Sequence, residues 1–219
     1  MADWFPVIGF RREKEETVVA DIVYRYKNQV YLNITNRCPC RCDFCIRSHG
    51  ASVGDAENLW FETEPELEEI FDAIDRFDFT GCREIIYCGY GEPVMALDKM
   101  EQISPYLRKC FPDCRIRLNT NGLGDLIHGR STAEEICRLT DSISVSLNMP
   151  DADSYEAIVH PSYGREAFYS MLQFAKDCRK FCDDVRFTVV DVIGEEKVEE
   201  SRRLAERLEV PLRVRKYSE

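Results

Sequence analysis

Short β-branched and aromatic runs alternate with segments of helical periodicity from about residue 29 to the end of the chain. Few folds accept such alternation, because a strand that runs into a helix returns to the next strand in parallel, by a right-handed crossover. Strands are predicted over 29–35, 83–89 ("REIIYCG"), 115–122 ("RIRLNTNG"), 142–150 ("SISVSLNMP"), 185–194 ("VRFTVVDVIG") and 211–218. Helices are predicted between them over 63–77, 98–108, 131–140, 165–181 and 195–208. Thr63 and Glu66 have the spacing of a capping box with Pro65 in the first turn, Asp98 stands where the next helix needs a cap, and Pro105 predicts a kink. Two β-rich runs within 18–35 flank the turn-like "KNQ" and predict a hairpin leading into the first core strand. Six βα units are too few for a closed eight-stranded barrel. The expected fold is therefore α/β, a partial, open TIM-like (β/α)6 barrel with mostly parallel strands. No linker or low-complexity stretch divides it, so residues 1–219 read as a single domain, with 1–27 as an N-terminal extension or hairpin and 28–218 as the barrel.

Charge narrows the partners. The chain has 29 basic and 40 acidic residues, a net charge of −11, which argues against nonspecific affinity for nucleic acid or anionic membranes. No run approaches the length of a membrane span, and "MADWFPVIGFRREKEE" has no apolar signal core, so a cytoplasmic location is expected. Of eleven cysteines, seven (Cys82, Cys88, Cys110, Cys114, Cys137, Cys178, Cys182) stand in apolar or helical contexts and read as small buried hydrophobes in a reducing compartment.

The remaining four crowd into "NRCPCRCDFCIR", residues 36–47, directly after the first core strand. Cys38, Cys42 and Cys45 form C-x3-C-x2-C. Three thiolates at these offsets on one loop can hold three corners of a cubane iron–sulfur cluster and leave one iron open, the vacancy a catalytic centre requires. With Cys40 added, a four-thiolate zinc site is formally possible, although four thiolates within eight residues strain a tetrahedron and structural zinc sites usually use two separated pairs. Other polar motifs fall at the carboxyl ends of later strands: "GYGEP" (89–93), "NTNG" (119–122), "SLN" (146–148) and "DVIG" (191–194). In barrel folds this edge is where chemistry is done.

The cysteine motif with an aromatic residue before its last thiol, followed by "GYGEP", resembles the radical S-adenosylmethionine (SAM) superfamily over about residues 28–215. More narrowly, "YLNITNRC", "YCGYGEPVM", "RLNTNGLGDLIHGR" and "SVSLNMPDADSY" resemble the radical SAM proteins associated with TatD-family nucleases. The resemblance implies a 4Fe-4S cluster on Cys38, Cys42 and Cys45, with Cys40 spare. It also implies bound S-adenosyl-L-methionine, cleaved reductively to a 5′-deoxyadenosyl radical that acts on a substrate the sequence does not identify. Gly89, Tyr90, Gly91 and Glu92 match the family's G-G-E-P segment, which holds the methionine end of SAM; Tyr90 replaces its second glycine. Asn119 and Asn121 are expected near the cofactor, Ser146 and Asn148 at its ribose, Val192 and Ile193 beside its adenine, and Phe44 as a shield for the cluster or a neighbour of the purine. His49 is a candidate donor to a cluster sulfur, and His160, Tyr163 and Arg165 lie where substrate or the SAM carboxylate would pass. A flavodoxin- or ferredoxin-type reductant is implied, and a TatD-family nuclease as a further partner.

Two enzymes of the same class, a 7-carboxy-7-deazaguanine synthase and a glycyl-radical activase, are also small. The synthase has a longer cluster loop and a magnesium-binding residue, neither of which is evident here. A non-catalytic iron–sulfur carrier or sensor would leave "GYGEP" and the polar strand ends without a purpose. An incomplete barrel leaves a wide side opening, which suits a large substrate.

Overall fold

A computed structural model describes residues 20–48 and 53–217. Seven strands form one sheet in sequence order: β1 (Val23–Tyr26), β2 (Gln29–Leu32), β3 (Glu84–Tyr87), β4 (Arg115–Thr120), β5 (Ser142–Ser146), β6 (Val185–Val190) and β7 (Leu212–Arg215). β1 and β2 form the hairpin, antiparallel, with Tyr26 opposite Gln29. Its two turn residues, Lys27 and Asn28, both have positive φ, 48° and 62°, the geometry that matches a tight turn to the twist of the strands. From β2 to β7 every neighbouring pair is parallel. The sheet ends at β7 without closing, the partial barrel expected.

Among the described residues seven helices connect the strands: α1 (Leu67–Arg76), α2 (Leu97–Cys110), α3 (Gly124–His128), α4 (Ala133–Leu139), α5 (Ala152–Val159), α6 (Glu166–Cys178) and α7 (Glu195–Arg207). Strand alternation decides which face they cover. Leu32, Tyr87, Leu118, Ile143 and Val185 form one apolar rung across five strands in register, and they join helix residues such as Ile70, Ile103, Met171 and Phe174 in one large core. The alternate residues are largely polar: Gln29 and Tyr31, Arg117 and Asn119, Ser144 and Ser146, Thr188, Arg213 and Arg215. All of them line one cavity on the opposite face. Residues of β2 and β7, the first and last parallel strands, share that cavity, so the sheet is curled far enough to enclose it.

Several local expectations are corrected. The capping box of α1 uses Glu66 and Glu69 rather than Thr63 and Glu66, because the helix begins after Pro65 instead of including it. Asp98 lies in the first turn of α2; the N-cap is Ala96, at the end of a 3-10 turn (Pro93–Ala96) that Glu92 caps. Pro105 stands inside α2. Strand β6 stops at Val190, and Asp191–Ile193 form a 3-10 turn. Two short helices, α3 and α5, were not foreseen. Residues 1–19 of the N-terminal extension and His49 lie outside the described residues.

One helix tests the division of faces. In α6, Phe174 is fully buried and Lys176 exposed. Phe174→Ala is expected to cost about 3–5 kcal/mol through the cavity it leaves, and Lys176→Ala less than about 0.5 kcal/mol, both read from urea unfolding midpoints.

Candidate functional site

The cysteine segment has little regular structure beyond a 3-10 turn at Ile46–Ser48, so its backbone polar groups must find partners in the elements around it. On one side, Asn36 exchanges hydrogen bonds with the backbone of Phe61 and donates its own N–H to Glu64 at 2.7 Å. On a second side, the N–H of Glu92 donates to Arg37 O at 2.8 Å. On a third, Arg41 N and Asp43 N donate to the carbonyls of Val159 and Ile158 at the carboxyl end of α5, 3.1 and 3.0 Å away. Those carbonyls are groups a helix cannot satisfy within itself. His160, the left-handed C-cap of α5, places its ring 2.8 Å from Asp43, and Ser162 N donates to Pro39 O. Arg47 turns back to donate to Asn36 O and Cys40 O.

On this scaffold Cys38, Cys42 and Cys45 are half-buried, whereas Cys40 is 2% exposed and belongs to the main core. The Asn121 amide approaches the Cys40 sulfur at 3.7 Å. A hydrogen bond from the Cys40 thiol holds Cys38 down to about 6, and the same bond pushes Cys40 up. Burial, then the neighbouring thiols, push Cys42 up to about 12. The donor set present, three accessible thiols on one loop beside an amide and an arginine, is the chemistry of an iron–sulfur cluster, in which each thiolate binds a different iron.

"GYGEP" follows β3 and braces this loop. A Cβ on Gly91 would stand 2.1 Å from Thr35 O and 2.8 Å from Arg37 O, and one on Gly89 would stand 2.0 Å from Asn33 Oδ1, so both positions need the bare backbone. Tyr90 donates its N–H to Asn33 Oδ1 and sends its side chain into a second, small core with Tyr24, Ala56 and Leu59. A bulky residue at the family's glycine position is thereby housed away from the loop. Glu92 is 4% exposed; its carboxylate accepts from Thr120 Oγ1 and Asn121 N, both at 2.7 Å, and from Val94 N at 3.3 Å. Burial, and then the nearby Cys38 thiol, push its carboxyl up to about 8. Its side chain ties the end of β3 to the end of β4, and its backbone ties both to the cysteine loop.

The other expected residues separate into groups. Asn121 joins the cysteine loop. Asn119 and Ser146 line the cavity of ≈ 240 Å³ on the sheet's inner face. Burial, and then the Cys88 thiol, push Tyr31 on this wall up to about 12, while Arg117 and Arg215 pull it back, so cations from β4 and β7 face a phenol on β2. Asn148 does not continue the alternation of Ser146: β5 has ended, and Asn148 is buried with φ 60°. Val192 and Ile193 stand on the 3-10 turn beyond β6, Val192 exposed and Ile193 partly against the main core. Phe44 is half-buried and packs with neither core. Arg165 pairs with Asp153 and is engaged locally.

Sequence reasoning missed α5 and the bracing role of Glu92. A signal for the helix was present: Asp151 accepts from Ser154 N as an N-cap, and Pro161 follows the helix end.

Two substitutions test the brace. Gly91→Ala is expected to lose about 1–3 kcal/mol through overpacking against rigid backbone. Glu92→Ala is expected to lose a similar amount by leaving the Asn121 N–H without an acceptor, and Glu92→Gln less. Urea unfolding of all three, with the wild type, reads the order.

The comparisons agree with this geometry. A profile described as the Radical SAM superfamily matches residues 32–208. GTP 3′,8-cyclase of Rhodococcus opacus (strain B4) is 29% identical over 132 residues, 60% of this chain and 35% of that protein. The chain spans only 24% to 36% of the length of the curated relatives it matches. Among solved structures, a radical SAM methyltransferase from Sphaerobacter thermophilus superposes with a TM-score of 0.61 at 16% identity, covering 89% of this chain and 68% of that one. The structure described as native anSMEcpe with bound AdoMet gives 0.56 at 16% identity, over 86% of this chain and 51% of that one. With more than half its length inside the family profile, the chain belongs to the radical SAM superfamily, whose members use a 4Fe-4S cluster and S-adenosylmethionine.

Proposed function

We propose that this protein is a radical SAM enzyme in which Cys38, Cys42 and Cys45 hold the cluster and Cys40 does not. The observation that carries the reading is the loop itself: three half-buried thiols just beyond the carboxyl end of β2, on a loop held by hydrogen bonds from three sides. When bound, the cluster supplies the electron that splits the sulfonium of SAM into methionine and a 5′-deoxyadenosyl radical, which attacks a separate substrate. The chain's own residues place the cofactor and exclude water. The backbone of Gly89, Tyr90 and Gly91 faces the methionine end, Asn119, Asn121 and Ser146 offer hydrogen bonds along the nucleoside, and the exposed Val192 suits a neighbour of the adenine.

The narrower affiliation, with the TatD-nuclease-associated radical SAM proteins, is supported by the four segments that include the cysteine loop and "GYGEP". With it come a flavodoxin- or ferredoxin-type reductant, a cytoplasmic setting, and a TatD-family nuclease as partner. Among the described residues no helix is long and apolar enough to cross a membrane, which fits that setting.

Anaerobically reconstituted protein is expected to hold about four iron and four sulfide per chain. Cys42→Ala should lose them and Cys40→Ala should keep them; equal loss would make Cys40 a ligand. Reduced holoprotein mixed with SAM should release 5′-deoxyadenosine, measured by chromatography. Failure to do so with any low-potential reductant would leave the carrier or sensor reading.

A further inference from the structure

We infer that the cavity enclosed by the curled sheet is a binding site for an anionic group, phosphate or carboxylate, of the substrate, held by Arg117, Arg213 and Arg215. The word substrate rests on the enzymatic reading above; the anion site stands on its own geometry. In a chain of net charge −11, the side chains lining this cavity include Lys27, Arg117, Arg213, Arg215 and Lys216 and no acidic residue. Among the described residues only Arg117 of these five has a carboxylate partner, Glu84 at 3.1 Å. A concentration of cations of which four have no carboxylate partner is self-repulsive, and a bound anion relieves it.

Arg117 provides a second, independent observation. The residue is 8% exposed, and its guanidinium reaches Glu84 and Gln29 through Nη2, yet its Nε is buried without a hydrogen-bond partner. Buried donors are almost always satisfied, so an orphan one on a cavity wall calls for an acceptor that enters the cavity. The register brings the other two arginines to the same wall. Arg213 pairs with Thr188, and Thr188 with Ser146, so Arg213 shares a rung with the strand end where the cofactor's ribose is expected. Arg215 lies two residues further on the same face. Guanidinium groups suit phosphate and carboxylate, which accept paired hydrogen bonds in the plane of the fork.

The test uses reconstituted holoprotein and isothermal titration with two probes, inorganic pyrophosphate and succinate, in separate arms. Binding of either that weakens as salt rises is expected; the stronger arm tells phosphate from carboxylate. Arg215→Gln and Arg213→Gln should each weaken it by about tenfold, the loss of a charge-assisted hydrogen bond, whereas Lys176→Gln on α6 should not. These arginines are exposed, so the two variants should fold even if Arg117→Gln, which breaks the pair with Glu84, does not. No binding of either probe at millimolar concentration, or binding unchanged in both arginine variants, overturns the site. Probe binding in a protein that releases no 5′-deoxyadenosine would keep the anion site and reject the enzymatic reading; the converse result would reject only the site.

Discussion

A loop that must hold several sulfurs in a fixed arrangement, with one 3-10 turn among its described residues, can be rigid only if its neighbours supply its hydrogen bonds. Here they do so in pairs: Arg37 O takes the Glu92 N–H, while Arg41 and Asp43 donate to the end of α5. Each contact also satisfies a group that its partner element could not satisfy alone, since terminal helix carbonyls and strand-end amides are orphans by construction. Rigidity of the cysteines is therefore a property of the sheet edge as a whole. The close approach of Gly91 to Thr35 and Arg37 is possible only because it lacks a Cβ, so a glycine read as a cofactor residue is first a condition for the loop's existence.

The two faces of the sheet divide the remaining tasks. Helices bury the apolar alternates, which stabilises the curl; the other alternates are freed from core packing and can be polar. Ser144, Ser146 and Thr188 occupy positions that a fully closed barrel would fill with branched apolar layers. With β7 as its last strand the sheet leaves that face reachable by solvent, and Arg213 and Arg215 on it are exposed.

Much of this was legible in the chain. Periodicity located all six parallel strands and five of the described helices, α1, α2, α4, α6 and α7, because burying one helical face or one strand face leaves a repeat that sequence records directly. The thiol motif announced its own chemistry. What escaped were features fixed by tertiary contact. Helix α3 spans only five residues, too few for a clear period, whereas α5 has eight and its Asp151 cap was legible. Asn148 was placed by strand alternation, which fails once the backbone turns to positive φ. The 3-10 turn at Asp191–Ile193 reads as strand because Val192 and Ile193 are β-branched. Glu92 was assigned to a ligand by its motif, and nothing local reveals that Thr120 and Asn121, 28 and 29 residues away, would supply its donors.

Tyr90 shows how a departure from a motif is accommodated. A side chain at the second glycine position would obstruct the cysteine edge if it pointed inward. The hairpin and the segment around Leu59 instead offer an apolar recess, where Tyr24, Ala56 and Leu59 enclose the ring and Trp60 lies 6.4 Å from it. Asn33 fixes the direction, since its Oδ1 accepts the Tyr90 N–H while its amide donates to Leu59 O at 2.8 Å. One buried asparagine thus ties the motif to the strip of chain that shelters the tyrosine. The β1–β2 hairpin, antiparallel in an otherwise parallel sheet, acquires a purpose from this: it closes the outer side of the recess, so the edge strand and the substituted motif position stabilise each other.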